Sequence, residues 1–267
     1  MKKVLVLMGL AVAACSGRAN DSVTLSARLG TPNGQSLPAD GGTAQVGNGI
    51  ELTRVRIAVR RLRVERKDTA SEVKLSEGPL LLDVSGDALS GALVALVTAN
   101  VPAGTYDKLK LDIHRVESAP AGAFDDLVKQ GASVLLEGKI DGNAFTFASA
   151  LEAELEHQDR FELGATDANI TLDIDASKWF QGADATRLDP RDAANRAAIE
   201  ANLRASFRAF EDDDEDGADD HGEHRDGGDD DAGDDRGGHD GGDDHGDAGQ
   251  DGGDDHGDGG HGGPGHH

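Results

Sequence analysis

The chain has one cysteine in 267 residues. That excludes a disulfide framework within the chain and a multi-cysteine zinc site. It has no excess of basic residues: 26 Lys and Arg stand against 51 Asp and Glu. Binding to a phosphate backbone needs a dominant basic face, so nucleic acid is excluded as a partner. There is no Gly-x-Ser-x-Gly elbow, no His-Glu-x-x-His, no phosphate loop and no dinucleotide fingerprint. Only His114 and His157 lie outside the C-terminal tail, and no nucleophile is paired with a base. The chain is therefore expected not to be an enzyme and to require no cofactor.

What is present begins with Met1-Lys2-Lys3 and an uncharged run over residues 4–14 (VLVLMGLAVAA). Eleven residues are too few to span a bilayer as a helix and match the h-region of a signal peptide. The run ends in Val12-Ala13-Ala14-Cys15-Ser16, which resembles a bacterial lipobox. That resemblance implies cleavage after Ala14 and lipidation of Cys15, with several acyl chains for stable anchoring. The alternative is an ordinary secretory signal with an incidental cysteine. Against it, the one cysteine of the chain falls at the right distance from the apolar run. Ser16 is not the Asp that commonly retains lipoproteins in an inner membrane. The expected location is the cell envelope, lipid-anchored, with the outer membrane favoured and its periplasmic or surface face open.

The formal charge of −25 divides unevenly. Residues 211–267 hold 20 Asp and 3 Glu against 2 Arg, or −21, whereas residues 1–210 carry only −4. Four parts follow: a signal peptide at 1–14, a tether with one candidate strand at 15–49, a β-rich domain at 50–210 and a disordered acidic tail at 211–267. The tail has no apolar residue larger than Ala and cannot fold by burial.

The expected fold is mainly β, an antiparallel β-sandwich-like domain. Val55, Ile57 and Val59 alternate with arginines. The phase then slips to Leu62 and Val64, the signature of a β-bulge near Arg60-Arg61. Asp141-Gly142-Asn143 signals a hairpin turn. Phe145, Phe147, Leu151, Ala153 and Leu155 are placed on one face of a single strand. Ile170, Leu172 and Ile174 face inward, with Thr171, Asp173 and Asp175 outward to solvent. Residues 87–99 read as a short apolar helix. Asp189, Pro190 and the stripe Ile199, Leu203, Phe207 and Phe210 predict an amphipathic helix over 190–210.

Val101-Pro102-Ala103-Gly104-Thr105-Tyr106, followed by Lys108-Leu109-Lys110-Leu111, resembles the Pro-Ala-Gly-x-Tyr turn and strand of a secreted prokaryotic family, domain of unknown function 4382. Leu81-Leu82-Asp83-Val84 resembles that family's apolar-Asp-Leu strand, with Val84 in place of Leu. The resemblance covers about residues 22–180. It implies a β-rich, often lipid-anchored protein with no established activity.

Two carboxylate groups and the tail are the candidates for chemistry. Glu152, Glu154 and Glu156 line one strand face, read as lying beside Asp173 and Asp175; a solvated face is the simpler account than acid–base work. Trp179-Phe180 is either a ligand platform or, more simply, a cap over the core. In the tail, Asp212, Asp214, Asp216 and Gly217 with Glu223 fit the calcium-loop spacing of an EF-hand. Asp219 at the apolar loop position, the absent exiting helix and the absent second hand count against a complete one. His221, His224, His239, His245, His256, His261, His266 and His267 mix imidazole with carboxylate. Imidazole suits Zn²⁺ or Ni²⁺, and carboxylate suits Ca²⁺. Ordering such a chain costs entropy, so binding is expected to be weak. A flexible chain of this length spans roughly 40 Å. The reading is a lipid-anchored envelope protein whose tail binds divalent cations, or else an adhesion or ligand-binding module with a protein or glycan partner.

Overall fold

Period-two alternation builds most of the strands, and the computed structural model describes residues 22–31, 35–117, 122–164, 168–215 and 219–220. Cys15 and everything beyond Asp220 lie outside the described residues. In chain order the strands are β1 (Ser22–Gly30), β2 (Ala39–Asp40), β3 (Thr43–Gln45), β4 (Ile50–Arg66), β5 (Glu72–Lys74), β6 (Leu80–Ser85) and β7 (Val94–Asn100). They continue as β8 (Gly104–Ile113), β9 (Val134–Ile140), β10 (Asn143–Ser149), β11 (Ala153–Leu163), β12 (Ala168–Asp175) and β13 (Phe207–Glu211). Among the described residues there are two α-helices, α1 (Asp125–Gln130) and α2 (Arg196–Ala205).

The fold is mainly β and sandwich-like. One sheet has four strands in the order β13-β12-β1-β7. The other has nine, arranged around β4, which bonds to β3, β5, β6, β8 and β9. Their inner faces share one core, in which Leu25, Leu29, Leu172 and Ile174 of the smaller sheet join Ile57, Leu111, Leu136 and Phe147 of the larger.

Several sequence expectations are met. The β4–β8 register shifts between Val59 and Arg61, which is the bulge. Asp141 and Gly142, at φ 50° and 79°, make the two-residue turn that joins β9 to β10. The Pro102–Tyr106 motif is structural: the Tyr106 hydroxyl donates to the Pro102 carbonyl at 2.7 Å, and Arg66 lies 5.6 Å over its ring. Gly104 stands at φ 156°, a backbone conformation that side-chain-bearing residues rarely adopt, which favours glycine there.

Other expectations are corrected. The supposed tether is part of the domain from Ser22 onward: β1 is central in its sheet, and Leu37, Ala44 and Val46 are buried. The turn formers there reverse the chain between short strands. The sheets are not wholly antiparallel, because β1 runs parallel to β12. Residues 87–99 are not a helix: a 3-10 turn at Gly86–Ser90 ends at Gly91, and β7 follows. A short apolar run does not distinguish helix from strand, and Val94, Val97 and Thr98 favour the strand. The 190–210 helix is shorter, with Asp192 rather than Asp189 capping the 3-10 turn that leads into α2. It ends where the Ser206 hydroxyl donates to the Leu203 carbonyl, and β13 follows. Phe207 pairs with Ile174 and Phe210 with Thr171, on opposite faces, so the apparent stripe joins two elements. Residues 145–155 form parts of two strands, β10 and β11, with a break between them.

The domain also runs past Glu211. Asp212 is fully buried, its carboxylate accepts from the Thr171 hydroxyl at 2.6 Å, and its N–H donates to the Asn169 carbonyl. Losing that acceptor leaves a buried hydroxyl without a partner. Asp212→Ala is expected to lower unfolding free energy by about 1–3 kcal/mol in urea denaturation, with Asp212→Asn costing less.

Candidate functional site

The solvent side of the larger sheet is a charged lattice set by strand register. Arg61 sits opposite Asp112, Arg63 opposite Lys110 and Glu65 opposite Lys108. On the far side of β8, Glu154 faces Asp112 and Glu156 faces Lys110. Arg63 reaches Glu72 at 2.9 Å, Glu154 at 3.1 Å and Asp112 at 3.2 Å. Lys110 bridges Glu65 and Glu72. Lys108 and then Lys110 hold the Glu65 carboxyl below its ordinary range, and Lys110 and Arg63 do the same for Glu72. The same two carboxylates keep the Lys110 ammonium above its ordinary range. Exposed pairs are individually weak, so the lattice fixes side-chain geometry more than it adds stability.

At the β4 bulge this lattice opens into a cleft of about 300 Å³. The bulge brings the consecutive Arg60 and Arg61 to the same oxygen of Asp112, at 3.7 and 2.7 Å. The Asp112 side chain is only 6% exposed, whereas Arg60 and Arg61 are 43% and 52% exposed. The opposite wall holds His114, whose Nδ1 lies 3.2 Å from Glu152, together with Glu154.

The outer face of the smaller sheet carries a second cluster. Asp173 is buried between Arg28 at 3.0 Å and Arg208 at 3.1 Å, and both guanidiniums lie over the Phe210 ring. A neighbouring cleft of about 360 Å³ is lined by Asp173, Asp175, Lys178, Ser206 and Arg208, among others. The expectation that Thr171 and Asp173 face solvent is therefore corrected. Both are buried, because β1, β13 and Asp212 supply the partners that water would otherwise provide.

The five carboxylates read together from sequence are not brought together by strand pairing. Glu152, Glu154 and Glu156 lie beside β8, whereas Asp173 and Asp175 lie between β1 and β13. Burial pushes the His157 imidazole below the ordinary range, and its Nε2 has no hydrogen-bond partner among the described residues. Trp179 and Phe180 are fully buried, and Phe180 packs edge-on against Phe145 at 5.8 Å, so the pair belongs to the core.

The EF-hand lacks its entering helix, because β13 precedes Asp212. Asp212 bonds to Thr171, and Asp213 accepts from the Asn169 N–H. Asp214 is described, whereas Asp216, Glu223, Cys15 and the eight tail histidines lie outside the described residues. Among the described residues no group of three His, Cys, Asp or Glu is placed to hold a metal. No described helix is long and apolar enough to cross a membrane.

No family model matches the chain. No curated protein matches it either. A solved structure, MbnP from Methylosinus trichosporium, matches at 12% identity and a TM-score of 0.40, over 72% of this chain and 98% of that one.

Glu65 and Glu72 are harder to protonate folded than unfolded. Their contribution is therefore fully present above about pH 4.3 and is lost as pH falls through the lower folded values. Thermal melting between pH 2 and 7 is expected to show a flatter acid limb in the Glu65→Gln/Glu72→Gln variant than in the parent chain.

Proposed function

We propose that this is a non-enzymatic, lipid-anchored protein of the bacterial cell envelope whose acidic tail binds divalent cations weakly. The supporting observation is where uncompensated charge lies. In the β domain, Asp112 and Asp173, the carboxylates buried beside the two clefts, are each held by at least two guanidiniums. Carboxylates whose oxygens are already taken by guanidinium donors are poor metal ligands. The excess of −21 and eight of the ten histidines fall after residue 210. Cys15 is the anchor in this reading, with the outer membrane as the favoured site. The resemblance of residues 101–111 to an often lipid-anchored secreted family agrees with it.

Calorimetric titration with Ca²⁺, Zn²⁺ and Ni²⁺ tests the tail. Heat is expected from the full chain and not from a chain ending at Asp220; no heat at millimolar ion sinks the idea. For the anchor, labelled palmitate is expected to enter the parent protein and not the Cys15→Ser variant.

A second reading, a ligand-binding module acting through the sandwich, is favoured by the Arg60–Arg61 cleft. Binding to a glycan or matrix array that survives removal of residues 221–267 would select it.

A further inference from the structure

The geometry points to the β4 bulge as a binding site for a small oxyanion, a carboxylate or phosphate group, carried on a hydroxylated molecule. The argument begins with charge around Asp112. Three guanidiniums converge on this one carboxylate. Arg63 is also matched by Glu72 and Glu154, at 2.9 and 3.1 Å. Glu152 is matched by Arg115 at 3.8 Å and lies 3.2 Å from the His114 imidazole. What remains is Arg60 and Arg61 sharing the one carboxylate of Asp112, and Arg60 has no other ion-pair partner among the described residues.

Donor capacity gives the same answer. A guanidinium carries five N–H donors. Arg61 directs Nε at Asp112, and Arg60 approaches the same oxygen only at 3.7 Å, beyond hydrogen-bond length. Both side chains are about half exposed, so their remaining donors face the cleft and water. Two adjacent planar forks suit an oxyanion better than two ammonium groups would. A regular strand would send consecutive side chains to opposite faces; the bulge turns both to one.

The rim sets the rest of the ligand. Glu152 and Glu154 on the opposite wall repel a second anionic group and accept hydrogen bonds from hydroxyls. A polyanion is thereby disfavoured. A cleft of about 300 Å³ has room for one small molecule of this kind, such as a uronic acid or a sugar phosphate. The site lies wholly within the β domain, so it stands or falls independently of metal binding by the tail.

The test uses the full chain at low ionic strength with EDTA present, following arginine Nε–H resonances by NMR. The probes are galacturonate, inorganic phosphate and, as a neutral control, galactose. Saturable shifts at Arg60 and Arg61 with galacturonate, phosphate or both are expected, and which of them acts identifies the carboxylate or phosphate source. Arg60→Gln/Arg61→Gln is expected to weaken binding at least about tenfold, the loss of one charged hydrogen bond. Arg60→Lys/Arg61→Lys, which keeps the charge without the forks, should fall between. Arg191→Gln, whose arginine pairs with Asp189 elsewhere, should bind as the parent does. If the double variant unfolds, Arg60→Gln alone leaves Arg61 and Arg63 on Asp112 and gives the same comparison. Absence of shifts at tens of millimolar probe overturns the proposal. So does equal response to galactose, or unchanged binding in a folded Arg60 variant.

Discussion

A β-strand offers one hydrogen-bonding edge to each side, and β4 uses both edges along its 17 residues. Five strands take their register from it. At roughly 3.3 Å per residue it spans about 56 Å, far beyond an ordinary strand, and cannot run straight across a two-layer domain. Its registers shift between Leu52 and Arg54, Val59 and Arg61, and Glu65 and Arg66. Those irregularities let one strand serve β9 with its first half and β8 with its second. The Arg60–Arg61 cleft is a by-product of the middle one. The charged lattice beside it is the same register expressed in side chains.

The features visible in sequence were those whose cause is local. The bulge shows as a slip in alternation, and the β9–β10 turn shows in two residues suited to left-handed backbone. The bulge also lay at the cleft, so half of the candidate site was legible. Asp112 was not, because an acid alternating with leucines looks solvated until three arginines from another strand reach it. The same holds for Asp173 and Asp212. Their burial depends on partners in β1, β13 and β12, which no local pattern announces. Residues 87–99 and 207–210 do not announce their strands, because short apolar runs satisfy helix and strand spacing alike. In both cases a vacant sheet edge decided the outcome.

Net charge is a poor guide to this domain. Its acids and bases are nearly equal in number and arranged as alternating neighbours, so the potential above the larger sheet varies over a few ångströms. At physiological salt the screening length of about 8 Å keeps such variation local. What a ligand meets is therefore the local arrangement of charged groups, and not the overall acidity of the chain.

The central position of β1 has a consequence in time. Its neighbours are distant in sequence: Arg28 meets Asp173 145 residues away, and Thr24 meets Thr98 74 residues away. Such high contact order makes assembly slow, since long loops must close before any contact repays them. The first strand to be synthesised waits for nearly the last, and the smaller sheet cannot close until residues near 212 have emerged. Closure of the smaller sheet is thereby the last step of folding, after every strand of the larger sheet, which ends with β11 at Leu163, is already available.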